Sequence, residues 1–378
     1  MKLLFLTGSR SEWGYIRPIL ELCKRKKINY SICVTNMHLL NSHGLAINEI
    51  IKDGFEVDYK IFMTLDGGNH FTMAKSMGVF HLSFVDVLHN EKPNWLILAG
   101  DRNETLIGAI CGAYTYTPTA HIQAGELSGN IDGMARHSIG KMVHLHFAAN
   151  KDASDRLLKL GEEKFRIKNV GAPQLDDLKK INQNNFKKIA LKYSFNYKNK
   201  ICLVVFHPVT EEFKDLDKQI KILIKALDKI DLLKFWILPN NDAGFEKIVN
   251  HILKSRKIDT KIIKNLPRND YLAILKNSQF IIGNSSSGII EAPSYKIPAI
   301  NIGSRQKNRL RAKNVIDVKN ITQNKLSRAI KTAMSTTFKT KLKKIKNPYG
   351  NGLSSAKILE MLERTKITKK LLSKHMTY

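Results

Sequence analysis

Cysteine is scarce in this chain. Four occur in 378 residues, at Cys23, Cys33, Cys111 and Cys202, with no Cys-x-x-Cys pair among them. That excludes a disulfide framework, and none has the local features of a catalytic thiol. Long apolar runs are missing too, so no segment is expected to span a bilayer. The apolar opening MKLLFLTGSR stops at Gly8, Ser9 and Arg10. It is too short for the core of an export signal and reads as a buried first strand. Free thiols and a cytoplasmic setting follow as expectations. Acidic residues are in short supply: 33 Asp and Glu stand against 62 Lys and Arg, a net charge of +29. Such an excess suits nucleic acid, an anionic membrane surface or phosphorylated ligands. No nucleic-acid motif accompanies it, and most lysines are scattered over polar helix faces, so neither nucleic acid nor membrane is the expected partner. The densest cluster, Lys339 to Lys346, reads as a solvated helix or loop. No group of His, Cys and carboxylates has metal-ligand spacing, and no metal is expected.

What is present is an alternation of short apolar strands and amphipathic helices. KLLFLTG, YSICVTN, FEVDYKIF, NWLILAG, PTAHIQAG, HLHFAAN and FRIKNVG read as strands. Helices are expected over Ile16 to Lys24, Asn41 to Asp53, Thr72 to His89 and Glu104 to Tyr114. The second half repeats the theme with strands KICLVVFHP, KFWILPN, TKIIKN, QFIIGNSS and PAINIG. Its expected helices are Leu216 to Ile230, Gly244 to Ser255, Arg268 to Asn277, Gly288 to Tyr295 and Gln323 to Ser335. Strands of this kind, buried on both sides, belong to parallel sheets covered by helices. The expected architecture is α/β, with two Rossmann-like domains whose parallel sheets face a cleft. The boundaries are an N-terminal domain over 1–175, a linker over 176–199, a C-terminal nucleotide-binding domain over 200–345 and a helical tail over 346–378. Ligands of such sheets bind beyond the carboxyl ends of the strands.

The polar residues gather at those strand ends. HIQAGELSGNIDGMARHSIGK, from His121 to Lys141, packs Gln123, Glu126, Asp132, Arg136 and His137 into one glycine-bearing stretch. Asp101 and Arg102 end the strand before it. Acid, base and cations in one place suit proton transfer beside a negatively charged leaving group. TGSRSEWG sets Arg10, Ser11 and Glu12 after the first strand, and an arginine there can hold phosphate oxygens bidentately. In the second half, GNSSSGIIE places Ser285, Ser286 and Ser287 at a helix start, where backbone N–H groups suit phosphate. Glu291, one turn further in, suits a ribose diol. His207, Asn240, Asn241 and Asp242, and Arg305, Gln306 and Arg309 follow three other strands at the same sheet edge.

Taken in order, TGSRSEWG, GDR, GELSGNID, RH, HPVT, PNNDAG, GNSSSGIIE and NIGSRQ resemble the hydrolysing UDP-N-acetylglucosamine 2-epimerases of bacterial sialic-acid-type sugar synthesis. The resemblance covers most of the chain and implies the two-domain glycosyltransferase-B architecture. It implies loss of the proton on sugar C2 as the nucleoside diphosphate leaves C1, a glycal intermediate, then addition of water at C1 with a proton returned to the other face of C2. No oxidation is involved and no cofactor is implied. The substrate implied is a nucleotide sugar, UDP- or GDP-linked, and a homo-oligomer is expected.

Matched motif by motif, the resemblance makes Asp101 and Asp132 the proton-handling carboxylates. Arg10, Arg102, His207, Ser286 and Ser287 match nucleotide or phosphate contacts, and Glu291 the ribose contact. Ser11, Asn240, Asp242, Ser285 and Arg305 are further candidate contacts from the same loops. Arg136 and His137 match the family's RH pair, which binds phosphate or supports Asp132. One position departs from the pattern. The family commonly carries a catalytic glutamate where this chain has Gln123, and an amide does not exchange protons at neutral pH. Either Glu126 takes that role, or Gln123 only orients substrate or water. The departure points towards the branch acting on N,N′-diacetylbacillosamine nucleotides, en route to legionaminic acid. The alternatives are a hydrolysing epimerase for UDP-N-acetylglucosamine, a glycosyltransferase, a non-hydrolysing epimerase and a non-catalytic nucleotide-sugar-binding protein.

Overall fold

The computed structural model describes residues 1–178, 185–375 and 377. The chain divides into two units, one of Met1–Gly67, Phe71–Asp177 and Tyr349–Tyr378, the other of Gly68–His70 and Leu178–Pro348. In chain order the first contains β1 (Lys2–Thr7), α1 (Arg10–Lys26), β2 (Asn29–Thr35), α2 (Ile47–Lys52), β3 (Tyr59–Ile61), α3 (His70–Glu91), β4 (Trp95–Ala99), α4 (Asn103–Tyr114), β5 (Thr119–Ala124), α5 (Ile131–Met142), β6 (Leu145–Ala148), α6 (Lys151–Lys159) and β7 (Ile167–Asn169). Its seven strands form one sheet in the order β3-β2-β1-β4-β5-β6-β7, parallel throughout.

Period-two alternation sends neighbouring side chains of one strand to opposite faces. Leu3 and Phe5 pack with Ile16, Ile19 and Leu20 of α1, whereas Leu4 and Leu6 pack with Phe80 and Phe84 of α3. Each such side chain, removed from water, contributes roughly 1.5–3 kcal/mol. Both faces are covered, so the strands read as unbroken apolar runs rather than alternating ones.

The second unit contains α7 (Asn185–Lys192), β8 (Ile201–Val205), α8 (Leu216–Leu227), β9 (Leu233–Ile237), α9 (Phe245–Lys254), β10 (Thr260–Ile263), α10 (Arg268–Asn277), β11 (Ser278–Gly283), α11 (Ser287–Ile290), β12 (Ala299–Ile302), β13 (Val315–Val318), α12 (Gln323–Met334) and α13 (Thr336–Leu342). Its sheet runs β10-β9-β8-β11-β12-β13, again parallel. Val204, Phe280, Ile282 and Ile300 pack there against Leu223 of α8, Ile248 of α9 and Ile330 of α12. The chain then returns to the first unit as α14 (Ser354–Arg364) and α15 (Lys369–Leu372). Ile358, Leu359 and Leu362 of α14 join the core under α1. Arg166, fully buried, donates to the carbonyls of Leu371 at 2.7 Å and Lys370 at 3.0 Å and pins α15.

Several elements differ from the sequence expectation. Helix α1 begins at Arg10 rather than Ile16, because Ser9 and Glu12 form a capping box. Asn41 to Asp53 is not one helix: Asn41–His43 forms a 3-10 turn, and α2 keeps only Ile47–Lys52. Helices α5 and α6 and strand β13 were not expected. The expected single helix Gly288 to Tyr295 is one α-turn, α11, followed by a 3-10 turn over Ala292–Tyr295. Of the stretch read as a linker, 176–199, residues 179–184 lie outside the described residues, and α7 occupies Asn185–Lys192. No helix among the described residues is long and apolar enough to cross a membrane. All four cysteines are buried and unpaired, and burial raises each thiol pKa, to about 12 for Cys23, Cys111 and Cys202.

At the end of β11, Gly283 adopts φ +136°, and a Cβ there would lie 2.0 Å from the carbonyl oxygen of Val205. Neither strand can move without breaking the β8–β11 ladder. Gly283→Ala is therefore predicted to destabilise the protein by roughly 3 kcal/mol or more, read as a lower urea midpoint with unchanged slope.

Candidate active site

In each sheet the strand order reverses once, and the polar loops cluster there. In the first unit the reversal lies between β1 and β4. The β1 end leads through Gly8 and Ser9 to Arg10 in the first turn of α1, and the β4 end leads to Asp101 and Arg102. Arg10 is half-buried and Ser11 is exposed. Glu12 points inward instead. It is 2% exposed, accepts from the N–H groups of Gly8 and Ser9 and accepts from Thr105 Oγ1 at 3.0 Å. Beside it sits Glu104, fully buried, which accepts from Asn36 Nδ2 at 2.9 Å and pairs with Arg102 Nε at 3.3 Å. Burial, then the neighbouring Glu104 charge, raises the Glu12 pKa well above the usual carboxylate value. A Cβ on Gly8 would stand 2.1 Å from Glu104 Oε1, so the buried carboxylate requires glycine at that strand end.

Arg136 of α5 is the hub of the adjoining loops. It is 3% exposed; one nitrogen donates to Asp101 Oδ2 and another to the carbonyl oxygen of Gln123 at 2.7 Å. Ser128 Oγ donates to the same Asp101 oxygen at 3.1 Å. Gln123, the penultimate residue of β5, has φ +65°, a left-handed conformation that costs a residue bearing a Cβ. Its Nε2 donates to Gln174 Oε1 at 3.2 Å, while its own Oε1 is buried and has no partner. Glu126, 2% exposed, accepts from Asn150 Nδ2 and from the hydroxyl of Tyr349 at 3.1 Å. Asp132, in the first turn of α5, accepts from Asn130 Nδ2 at 3.0 Å. His137, half-buried, has a pKa lowered by burial and by the cations Arg136, Arg156 and Lys141. It is the neutral imidazole at neutral pH, with Nδ1 buried and without a partner. His121 Nε2 donates to the Gly100 carbonyl oxygen, 2.6 Å away, which makes Nε2 the protonated nitrogen.

In the second unit the reversal lies between β8 and β11. His207 follows β8. Its backbone N–H donates to Asn284 Oδ1 at 2.7 Å, and its Nδ1 lies 3.0 Å from Asn240 Oδ1. Asn240 Nδ2 in turn donates to Asp242. Asn284 follows β11, and its carbonyl accepts from Gln306 Nε2 at 3.0 Å and from Arg305 Nη1 at 3.5 Å. Ser285 Oγ accepts from the Ser287 N–H at 3.3 Å, and Ser287 Oγ is buried without a partner. Ser286 is the N-cap residue of α11, a helix of only four residues. Glu291, matched to a ribose contact, is ion-paired with Arg268 Nη1 at 2.6 Å.

The expected residues thus fall into two groups, one at each strand reversal. Sequence reading missed Ser128, Asn150, Gln174 and Tyr349 around the first group and Arg268 and Asn284 around the second. Ser128 and Asn284 lay inside motifs already singled out. Tyr349 stands 223 positions from Glu126, and no local pattern could pair them. Among the described residues, no group of three or more His, Cys, Asp or Glu side chains is arranged to hold a metal ion.

The sequence matches the family described as UDP-N-acetylglucosamine 2-epimerase over residues 20–363. It is 35% identical to the UDP-N,N′-diacetylbacillosamine 2-epimerase (hydrolyzing) of Legionella pneumophila, over 100% of this chain and 99% of that protein. It is also 35% identical to the GDP/UDP-N,N′-diacetylbacillosamine 2-epimerase (hydrolyzing) of Campylobacter jejuni, over 89% and 88% of the two chains. In fold it is similar to the UDP-GlcNAc 2-epimerase of Methanocaldococcus jannaschii, solved with UDP-GlcNAc and UDP. The TM-score is 0.81 at 20% identity, covering 97% of this chain and 100% of the other.

The buried histidines contribute to the acid sensitivity of this unit. Burial lowers the pKa of His38 and His121 to about 3, and of His144 and His146 to about 4. An unfolded histidine binds a proton near pH 6.5, whereas these do not until far lower. Their contribution is complete above pH 6.5 and is lost as pH falls towards 4 and then 3. Each is predicted to cost up to about 1.4 kcal/mol per pH unit in that window, measured as urea midpoints between pH 7 and 4.

Proposed function

The chain belongs to the UDP-N-acetylglucosamine 2-epimerase family and is a hydrolysing nucleotide-sugar 2-epimerase, and on that premise we propose that its substrate is UDP-N,N′-diacetylbacillosamine. The products are UDP and the free sugar with inverted C2. The observation that carries the mechanistic reading is Arg136, whose guanidinium holds the Asp101 carboxylate and the Gln123 carbonyl together at the ends of β4 and β5.

The sugar C2–H is a weak acid, so its loss accompanies departure of the diphosphate. The C2–H and C1–O bonds break, a C1–C2 double bond forms, and the electron pair of the C1–O bond leaves with UDP. Water then adds its oxygen to C1, and a proton is delivered to the opposite face of C2. Asp101 and Asp132 are the groups proposed to move these protons. Asp101 is suited to the task because Arg136 and Ser128 fix one of its oxygens and so orient the other. Arg10 and Arg102 are proposed to meet the diphosphate charge that develops as the bond breaks, the kind of electrostatic term that contributes most in such reactions. His207, Ser285, Ser286, Ser287 and Arg305 are proposed as nucleotide contacts from the second unit, supported by their gathering at its strand reversal. Asn240 and Asp242 then act on His207 by holding its ring. Glu291 is proposed to meet the ribose while its charge is balanced by Arg268.

Gln123 cannot carry a proton, and its unpartnered Oε1 supports the orienting alternative: it accepts from an N–H or O–H group of the sugar. Glu126 is proposed to supply the further carboxylate beside it. His137 is proposed as a support for the α5 segment near Asp132 and Arg136.

The test is proton NMR of purified protein with UDP-N,N′-diacetylbacillosamine and, separately, UDP-N-acetylglucosamine. Free 2-epimeric sugar from the first at the higher kcat/KM is expected; preference for the second would reassign the substrate. Asp101→Asn is predicted to lower UDP release by roughly 10²–10⁴-fold, the usual worth of a positioned acid or base. Gln123→Glu is predicted to shift relative kcat/KM towards UDP-N-acetylglucosamine; an unchanged ratio would remove Gln123 from substrate choice.

A further inference from the structure

The connection from β5 to α5 is bent into a conformation that the chain does not adopt unaided. Gln123 and Gly125 both have positive φ, +65° and +73°. A Cβ on Gly125 would lie 2.4 Å from the Ala153 carbonyl, so the segment is also pressed against α6. Hydrogen bonds hold it at successive points. Arg136 takes the Gln123 carbonyl and Arg156 Nη1 the Gly125 carbonyl, at 2.7 and 2.8 Å. Both arginines belong to neighbouring helices of the same sheet. Two other anchors come from elsewhere. Gln174 Oε1 accepts from Gln123 Nε2, and the Tyr349 hydroxyl donates to Glu126 Oε2.

Gln174 and Tyr349 lie where the chain passes from one unit to the other, at Asp177/Leu178 and at Pro348/Tyr349. On the first unit's side these two passages are fastened together. The Ala172 N–H donates to the Tyr349 carbonyl at 2.8 Å. Asp176 accepts from the backbone N–H groups of Ser354 and Ser355 at 3.0 and 2.8 Å, capping the start of α14. The backbones approach so closely that a Cβ on Gly171 would meet the Tyr349 carbonyl at 3.0 Å. Both side chains are buried, Gln174 at 2% exposure and Tyr349 at 0%, so their polar ends have fixed surroundings.

We propose that Gln174 and Tyr349 are positioning residues of the active site, by which the two fastened passages set the orientation of Gln123 and Glu126. The proposal rests on the assignment of Gln123 and Glu126 to the sugar. Asn150 takes one oxygen of the Glu126 carboxylate and Tyr349 the other, so together they fix its plane. A hydroxyl donated to a carboxylate is among the stronger hydrogen bonds, and its direction is restrictive. Gln174 works on Gln123 in a complementary way. By accepting from Nε2 it turns the amide so that Oε1 is the atom left without a partner, an acceptor offered to a donor on the sugar. Neither residue touches the reacting atoms; each acts through the residue it holds.

The test is a double-mutant cycle on the full-length protein, with Tyr349→Phe made in the wild-type and Glu126→Gln backgrounds. The ring remains in its core, and only the hydroxyl is lost. In the wild-type background kcat is expected to fall about ten-fold while KM changes less than about two-fold, the pattern of an interaction that matters in the transition state. In the Glu126→Gln background the same change is expected to add little. An equal loss in both backgrounds, or no loss in the first, overturns the role of Tyr349. Gln174→Leu, paired in the same way with Gln123→Leu, tests the second contact and serves if Tyr349→Phe does not fold. Hydrogen exchange of the 123–128 amides supplies a readout independent of turnover. Faster exchange confined to that segment in Tyr349→Phe or Gln174→Leu supports positioning, and unchanged exchange overturns it. A wild-type protein with no turnover would refute the functional reading, and the exchange result would still decide this one.

Discussion

A buried guanidinium organises the first unit. Removing Arg136 from water costs several kcal/mol unless its donors are used. Here the two terminal nitrogens are used on the Asp101 carboxylate just past β4 and on the Gln123 carbonyl near the end of β5, while Nε is buried without a partner. One side chain of α5 therefore fixes the relative placement of two strand-end loops and its own helix. The arrangement is asymmetric in energy. The pair adds modestly to stability, but loss of one partner would leave a buried charge uncompensated, at about 3–5 kcal/mol. That asymmetry keeps Asp101 oriented, and proton transfer to or from a carbon depends on orientation as much as on basicity.

Other charged groups near the strand ends answer to the same constraint. Glu12 and Glu104 lie buried beneath the β1 and β4 ends. Glu12 is satisfied by two backbone N–H groups and a threonine hydroxyl, and Glu104 by an asparagine and by Arg102. His121 and His38 are kept neutral by burial. In the second unit Asp242 orients Asn240, which meets His207, and Arg268 balances Glu291. At both reversals one polar side chain at a strand end is held by another. Such backing determines how closely a reacting group can be aimed.

Much of the fold was legible because parallel strands buried on both faces leave unbroken apolar runs. β1, β4, β5, β8 and β11 were visible for that reason, and their ends marked Arg10, Asp101, Gln123, His207 and Ser285. α5 was not visible, because Gly133 and Gly140 and its polar face resemble a loop when its packing partners are unknown. α1 was read too short, since an inward Glu12 looks like a polar loop residue until its capping role is seen. α11 was read too long, because nothing local in GIIEAPSY announces the change to a 3-10 turn. The contacts from Gln174 and Tyr349 depend on how distant segments are brought together, which spacing along the chain does not encode.

An oriented carboxylate is proposed to take a proton from one face of sugar C2, and a solvent proton to return on the other. Deuterium NMR of the free sugar made in deuterated water tests this most directly. One deuterium at C2 of the inverted product is expected for each UDP released. Product carrying only protium at C2 would contradict it.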